Sequence, residues 1–231
     1  MNKIAVALLS GGLDSAVTMA IVQNEGYEVR ALSFDYGQRH RRELESAMNV
    51  CDAMKVPQTI VSLPGLGKLA SASALTDLDV DLPVGPFVGE GGVPLTYVPM
   101  RNSTFLALAA SMLESWWLDA PDDAKPVQCA IAIGANAVDY SGYPDCRPDY
   151  LLQMEEALTL GSSLWAAHDR QILIEAPLVD MTKVEIIEAG RRLNVPLELT
   201  RSCYSDAVEP CGLCYSCQIR DEGMRDAAPR R

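Results

Sequence analysis

Residues Ile4 to Leu9 read as a short apolar strand that runs straight into Ser10-Gly11-Gly12-Leu13-Asp14-Ser15, and the stretch behind it, Ala16 to Gln23, reads as a helix. Strand, glycine turn and helix in that order are the layout of a phosphate site. The glycines let the backbone turn sharply and expose its amides, while the helix N-terminus adds unpaired N–H groups and a dipole that favours anions. Ser10 and Ser15 add hydroxyl donors. The segment has no Gly-Lys-Ser/Thr ending, so it does not match the loop that holds β and γ phosphates for γ-phosphoryl transfer. It also lacks the Gly-x-Gly-x-x-Gly of dinucleotide folds. The plainer alternative is a strand-to-helix turn that merely uses glycine.

Strand and helix patterns alternate after this loop: helix Ser15 to Glu25, strand Glu28 to Phe34, helix Gln38 to Met54 and strand Gln58 to Ser62. Further on come a helix from Asn102 to about Trp117, strand Val127 to Ile133, a helix opened by Pro148, strand Ile172 to Glu175, and a helix from Thr182 to Leu193 with a Thr182-x-x-Glu185 capping box. Alternation of this kind predicts an α/β fold, a doubly wound and mainly parallel sheet with helices on both faces. The strand ends at Ser10 and Asp35 should share the sheet edge where such folds bind ligands. Residues 64–95 break the pattern with Gly, Pro and Asp and read as a mobile lid or dimer-contact loop. The expected division is an α/β body over residues 1–200 and a small cysteine-bearing segment over 201–231.

With 231 residues and 48% hydrophobic content, the chain suffices for one substantial domain and a single active site. Its net charge of −12, from 31 acidic and 19 basic side chains, disfavours nucleic acid and anionic lipid as partners. No apolar run reaches the roughly 18 residues of a membrane span, and Met1-Asn2-Lys3 enters the first strand without a signal-peptide pattern. A cytoplasmic protein is expected.

Cysteine use agrees with a reducing compartment, since four of seven cysteines crowd into Cys203-x7-Cys211-x2-Cys214-x2-Cys217. Four thiolates suit a closed, structural Zn²⁺ site with no position left for water or substrate, an iron–sulfur cluster and free thiols being the rivals. Two helix starts carry cations where the dipole already presents positive charge: Arg101, beside Asn102 as N-cap, and Lys183. Each calls for an anion, phosphate or carboxylate for Arg101 and departing pyrophosphate for Lys183. Gln38, Arg39 and His40, just past the second strand, are candidates to face a nucleotide or substrate, with Arg41 and Arg42 on a solvated helix face. The polar loop Gly134 to Arg147 supplies Asp139, Tyr143, Asp145 and Arg147; either aspartate can read paired N–H donors, and Arg147 matches a carboxylate.

Ser-Gly-Gly-x-Asp-Ser resembles the pyrophosphate loop of the N-type ATP pyrophosphatases, which split ATP between its α and β phosphates and adenylate an acyl or carbonyl oxygen. Five segments together resemble one family, the 7-cyano-7-deazaguanine (preQ0) synthases of queuosine biosynthesis: Ser10 to Ser15, Asp35 to His40, Val98 to Asn102, Asp139 to Arg147, and the cysteine set with Tyr204 and Gly212. The string Asp-Tyr-Ser-Gly-Tyr-Pro-Asp-Cys-Arg is the most discriminating. The resemblance implies an adenine nucleotide alpha hydrolase-like fold and an ATP-dependent ligase. Its substrates would be 7-carboxy-7-deazaguanine and ammonia, and its route would pass through an adenylated carboxylate and an adenylated amide. It implies ATP, structural Zn²⁺ and Mg²⁺, the last held by Asp14 or by the phosphates, and a homodimer. Carried onto this sequence, Leu9 to Ser15 with Gln38 and Arg39 would bind ATP. Arg101, Asn102, Asp139, Tyr143, Asp145 and Arg147 would bind substrate, Lys183, Arg101 and Asp14 would act in catalysis, and Cys203, Cys211, Cys214 and Cys217 would hold the metal.

Two other functions compete. A tRNA-thiolating pyrophosphatase would need a basic surface and a catalytic cysteine pair, which an acidic chain with its paired cysteines in a metal motif does not offer. A zinc-stabilised module that binds nucleotide without turnover would release no AMP.

Overall fold

The computed structural model describes residues 2–84, 92–136 and 142–227. Asp139 lies outside them, as does the middle of the Gly/Pro segment.

Strands β1 (Lys3–Leu8), β2 (Tyr27–Asp35), β3 (Gln58–Ser62), β4 (Gln128–Ala132) and β5 (Ile172–Glu175) form one sheet in the order β3-β2-β1-β4-β5, every pair parallel. The chain walks outward from β1 to β3 and then returns to place β4 on the other side of β1. The order therefore reverses between β1 and its neighbours, and a crevice opens beyond their carboxyl ends. The expected α/β doubly wound sheet is the observed fold.

Side-chain alternation along each strand builds two cores. Ile4, Val6 and Leu8 of β1 join Leu32, Phe34 and Ile131 under α4 (Arg101–Asp119) and α5 (Pro148–Leu160). Ala5, Ala7, Ala31, Ala130 and Ala132 give the opposite face a floor of small side chains, on which α1 (Leu13–Asn24) lies with Leu13, Val17 and Met19 buried. Both faces being covered, the strands read as apolar runs rather than alternating ones.

Three helices depart from the sequence reading. Residues 64–69 form α3 (Pro64–Leu69), opened by a proline at its first turn, within a segment expected to lack structure. Beyond it the chain is pinned rather than loose, because the Arg39 guanidinium donates to the carbonyls of Ala74, Leu78 and Val80. A short α6 (Ser163–His168), capped by Ser162, precedes β5. After α7 (Lys183–Arg192), whose Thr182/Glu185 capping box forms as expected, the tail turns into α8 (Tyr215–Asp226). Gly223 lets α8 approach closely: a Cβ there would meet the Lys183 Cγ at 2.7 Å and Ile187 Cδ1 at 2.8 Å. Among the described residues, no helix is long and apolar enough to cross a membrane.

Candidate active site

The phosphate loop caps β1 and is locked from within. Ser15 Oγ accepts from Ser10 N at 3.3 Å and donates to Gly12 O at 3.1 Å, the Ser10 and Ser15 hydroxyls meet at 3.1 Å, and Gly12 N donates to Ser10 Oγ at 3.2 Å. Gly11 has φ +87°, and a Cβ there would fall 2.1 Å from the Glu43 carbonyl oxygen. The turn is thus glycine-only on both conformational and steric grounds. Arg201 N donates to Gly11 O at 2.9 Å, tying the C-terminal segment to the loop.

A cavity of about 260 Å³ opens in front of this loop. Ser10, Gly12, Asp14 and Ser15 line one part, Phe34, Tyr36, Phe105 and Ile133 an apolar part, and Arg201 to Tyr204 with Ser216 a wall from the far end of the chain. Phe34 and Phe105 stack at 3.9 Å between ring centroids with 9° between planes, leaving a flat apolar surface at the sheet edge.

Asp14 is the most heavily contacted carboxylate here. Lys183 Nζ lies 2.6 Å from both of its oxygens, and Asn136 Nδ2 donates to Oδ2 at 3.0 Å. The cation placed against the dipole of α7 therefore rests on an anion at the mouth of the phosphate loop, and the packing of α8 on its stem holds it there. Arg220, from α8, bonds Thr200 Oγ1 at 2.8 Å, Ser202 Oγ at 3.3 Å and Leu197 O at 2.8 Å, fixing the wall behind.

Arg101 opens α4 and lines the cavity. Burial disfavours its charge, but Tyr36 and Asp145 outweigh that and hold it firmly protonated. Burial pushes the Tyr36 phenol up to about 12, against the pull of Arg101. Asp145 is 4% exposed; burial raises its pKa, opposed by Arg101 and by the Asn102 N–H that donates to its Oδ2 at 3.1 Å.

Several expected contacts are placed elsewhere. The α4 cap position belongs to Met100, at φ 57°, and Asn102 sits inside the helix. Its Nδ2 donates to Asp145 O at 3.2 Å and Cys146 Sγ at 3.2 Å. Gln38, 2% exposed, accepts from Tyr36 N at 2.8 Å and donates to Phe34 O and Glu43 Oε1, both at 3.0 Å. With Arg39 occupied by carbonyls, neither residue lines the cavity. Arg147 is exposed at the start of α5 and also lies off the lining, whereas Tyr143 is on it, its hydroxyl 2.6 Å from Thr96 Oγ1. Asn136, Arg201 and Ser202 went unassigned in the sequence; only their adjacency to Gly134 and Cys203 hinted at them.

The sulfurs of Cys203, Cys211, Cys214 and Cys217 lie within 4.8 Å of one another, and none is in a disulfide. A tetrahedral Zn²⁺ with bonds of about 2.3 Å would need sulfurs just under 4 Å apart, so the set fits one ion. Backbone amides already point at the sulfurs: Ser205 N and Cys211 N donate to Cys203 Sγ at 3.3 Å, and Cys214 N to Cys211 Sγ at 3.4 Å. Burial raises the Cys211 thiol, but the Cys214 and Leu213 amides more than reverse this and bring it down to about 7. Burial raises the Cys214 and Cys217 thiols, so these two would gain their thiolate form from a bound cation.

A family model described as "Queuosine biosynthesis protein QueC" matches residues 4–228. The chain is 48% identical over 228 residues to the 7-cyano-7-deazaguanine synthase of Saccharophagus degradans, covering 98% of this chain and 95% of that protein. It is 46% identical over 224 residues to the enzyme of that name from Picrophilus torridus, with 96% and 87% covered. With the one from Acetivibrio thermocellus it shares 43% over 224 residues, with 96% and 93% covered.

Proposed function

The chain belongs to the queuosine biosynthesis QueC family, and from that premise we propose that it is an ATP-dependent ligase that converts 7-carboxy-7-deazaguanine and ammonia into 7-cyano-7-deazaguanine. The observation that carries the chemistry is Asp14, on a serine- and glycine-lined loop, which holds Lys183 Nζ at 2.6 Å and lines the same cavity as Arg101 and the Phe34–Phe105 surface. A carboxylate is a poor electrophile, and adenylation makes it a good one by turning its oxygen into a leaving group.

In this reading the loop from Leu9 to Ser15 takes the phosphates of ATP, and Lys183 moves from Asp14 onto the departing pyrophosphate as its charge grows. Asp14, so released, would be a ligand for Mg²⁺, which would supply charge neutralisation for the phosphates. Arg101 holds the substrate carboxylate, with Tyr143 on the same wall; Asn102 and Asp145 act behind Arg101 by fixing the start of α4. Arg147, exposed, has no part in this scheme, and Gln38 and Arg39 shape the loop rather than touch nucleotide. The first adenylation yields an acyl adenylate that ammonia converts to the amide. The second, at the amide oxygen, leads to the nitrile.

The four cysteines would bind Zn²⁺, which supplies a fixed structural centre for the 201–231 segment and no reaction step. We place the enzyme in the cytoplasm, as a homodimer acting on small molecules rather than nucleic acid. Purified protein incubated with ATP, Mg²⁺, ammonium and 7-carboxy-7-deazaguanine should form nitrile and AMP together by mass spectrometry. AMP without nitrile would point to another acceptor, and neither product would favour a binding role.

A further inference from the structure

Forming a nitrile removes both hydrogens from the nitrogen that ammonia supplied, so a proton acceptor has to stand beside the adenylated carbon. Among the acidic and basic side chains that line the cavity, Asp14 holds Lys183 and Asn136 and, once Lys183 moves, would be taken by Mg²⁺, while Arg101 and Arg201 are cations at neutral pH. His40 and Glu43 remain. His40 is 5% exposed, and its Nε2 lies 3.1 Å from Glu43 Oε2. The other Glu43 oxygen accepts from Gln38 Nε2 at 3.0 Å, which aims the carboxylate. A carboxylate at Nε2 keeps the imidazole hydrogen there and leaves a bare lone pair on Nδ1. Nδ1 is buried and has no hydrogen-bond partner among the described residues. A histidine serving only as packing would ordinarily have both nitrogens satisfied.

Position completes the case. Glu43 lies in the first turn of α2 (Arg42–Met54), which packs so tightly on the phosphate loop that its carbonyl fills the space beside Gly11. The His40–Glu43 pair thus flanks the phosphate loop and lines the same cavity as Ser10, Ser15 and Arg101. The Tyr204 ring, its centroid 6.0 Å from that of His40, closes the other side.

We propose, resting on the nitrile-forming function above, that His40 backed by Glu43 is a catalytic residue that accepts the last nitrogen-bound proton during conversion of amide to nitrile. Adenylation of the amide oxygen leaves an imidate that carries two N–H bonds and a positive charge. The cationic imidate is a strong enough acid to lose its first proton to water, giving the neutral imidate. Nδ1 then takes the second proton, the N–H electron pair becomes a C–N π bond, and the C–O bond to AMP breaks with its electrons leaving on AMP. Glu43 stabilises the imidazolium that forms. No oxidant or reductant is required.

The test feeds the enzyme the acid and the pre-formed amide separately, with ATP, Mg²⁺ and, for the acid, ammonium. If the wild type makes no nitrile from either, the function itself fails, whatever His40 does. Given an active wild type, His40→Ala should cut nitrile formation from the amide by about 10²–10⁴-fold. Amide formation from the acid should fall far less, so that amide accumulates, and added imidazole should restore part of the nitrile rate. Glu43→Gln, which keeps the imidazole, is the second variant if His40→Ala does not fold, and should show the same selective loss to a smaller degree. Equal loss of both half-reactions without imidazole rescue, or nitrile formation at the wild-type rate, would overturn the assignment.

Discussion

Lys183 shows how far one side chain can be read from its place on a helix. A cation in a first turn opposes the dipole unless an anion is near, and the structure supplies Asp14 on both oxygens. Lys183→Met should lower the rate of AMP release by about 10²–10³-fold, as loss of a charge-stabilising donor does. The melting temperature should barely move, because the pair is partly solvated. A pyrophosphate-release assay beside a thermal melt checks both. Arg147→Ala should leave the KM for the carboxylate substrate within about twofold, since exposed side chains away from a site are usually neutral on substitution. Arg101→Ala should abolish turnover and destabilise the fold, leaving Asp145 buried without its cation. Steady-state kinetics on the two variants separates the arginines. The sequence revealed which residues needed partners, not where side chains point. Asn102, Gln38 and Arg39 were legible as polar groups near the edge, but Asn102 and Arg39 reach backbone carbonyls brought close only by tertiary folding, and Gln38 turns back on its own loop at Tyr36 N and Phe34 O.

At the scale of elements, the strands and their order were the legible part, since runs such as Ile4 to Leu9 admit few alternatives to a strand covered on both faces. Helix α8 was not, because its residues Gln218 to Asp226 are mostly polar and its sequence begins inside the cysteine motif. Helix α3 was masked by its proline and two glycines, residues that mark loops everywhere except in a first turn or a tight contact. Contact between α8 and α7 gives a prediction peculiar to this level. Gly223→Val would drive branched carbons into the Lys183 stem and Ile187. It should cost about 1–3 kcal/mol by overpacking. It should also slow AMP release more than a comparable loss of stability elsewhere would, because it displaces Lys183 from Asp14; urea unfolding paired with turnover measures both effects.

For the molecule as a whole, the cysteine cluster and the cavity share a wall, since Cys203 is both a candidate metal ligand and a lining residue. Stripping the metal with a chelator should therefore reduce activity as well as stability, and Zn²⁺ alone should restore both. Proton competition sets the sign of the pH effect. Amide donors bring the Cys211 thiol down to about 7, while burial raises those of Cys214 and Cys217. Protons compete with a metal for all of these thiolates, so metal retention should weaken as the pH falls and strengthen as it rises, measurable as zinc released to a chromogenic chelator. The metal motif was legible because ligand spacing is local, whereas its place against the phosphate loop was not, since Arg201 N to Gly11 O joins chain positions almost two hundred residues apart.

That long-range closure has a consequence for synthesis. The loop that would grip ATP is synthesised well before the wall from Arg201 to Ser216 and the α8 glycine that supports Lys183. A nascent or prematurely terminated chain lacking that segment has the phosphate loop without its wall or its buttressed lysine. Chains truncated before Arg201 should accordingly be catalytically silent rather than wasteful nucleotide hydrolases.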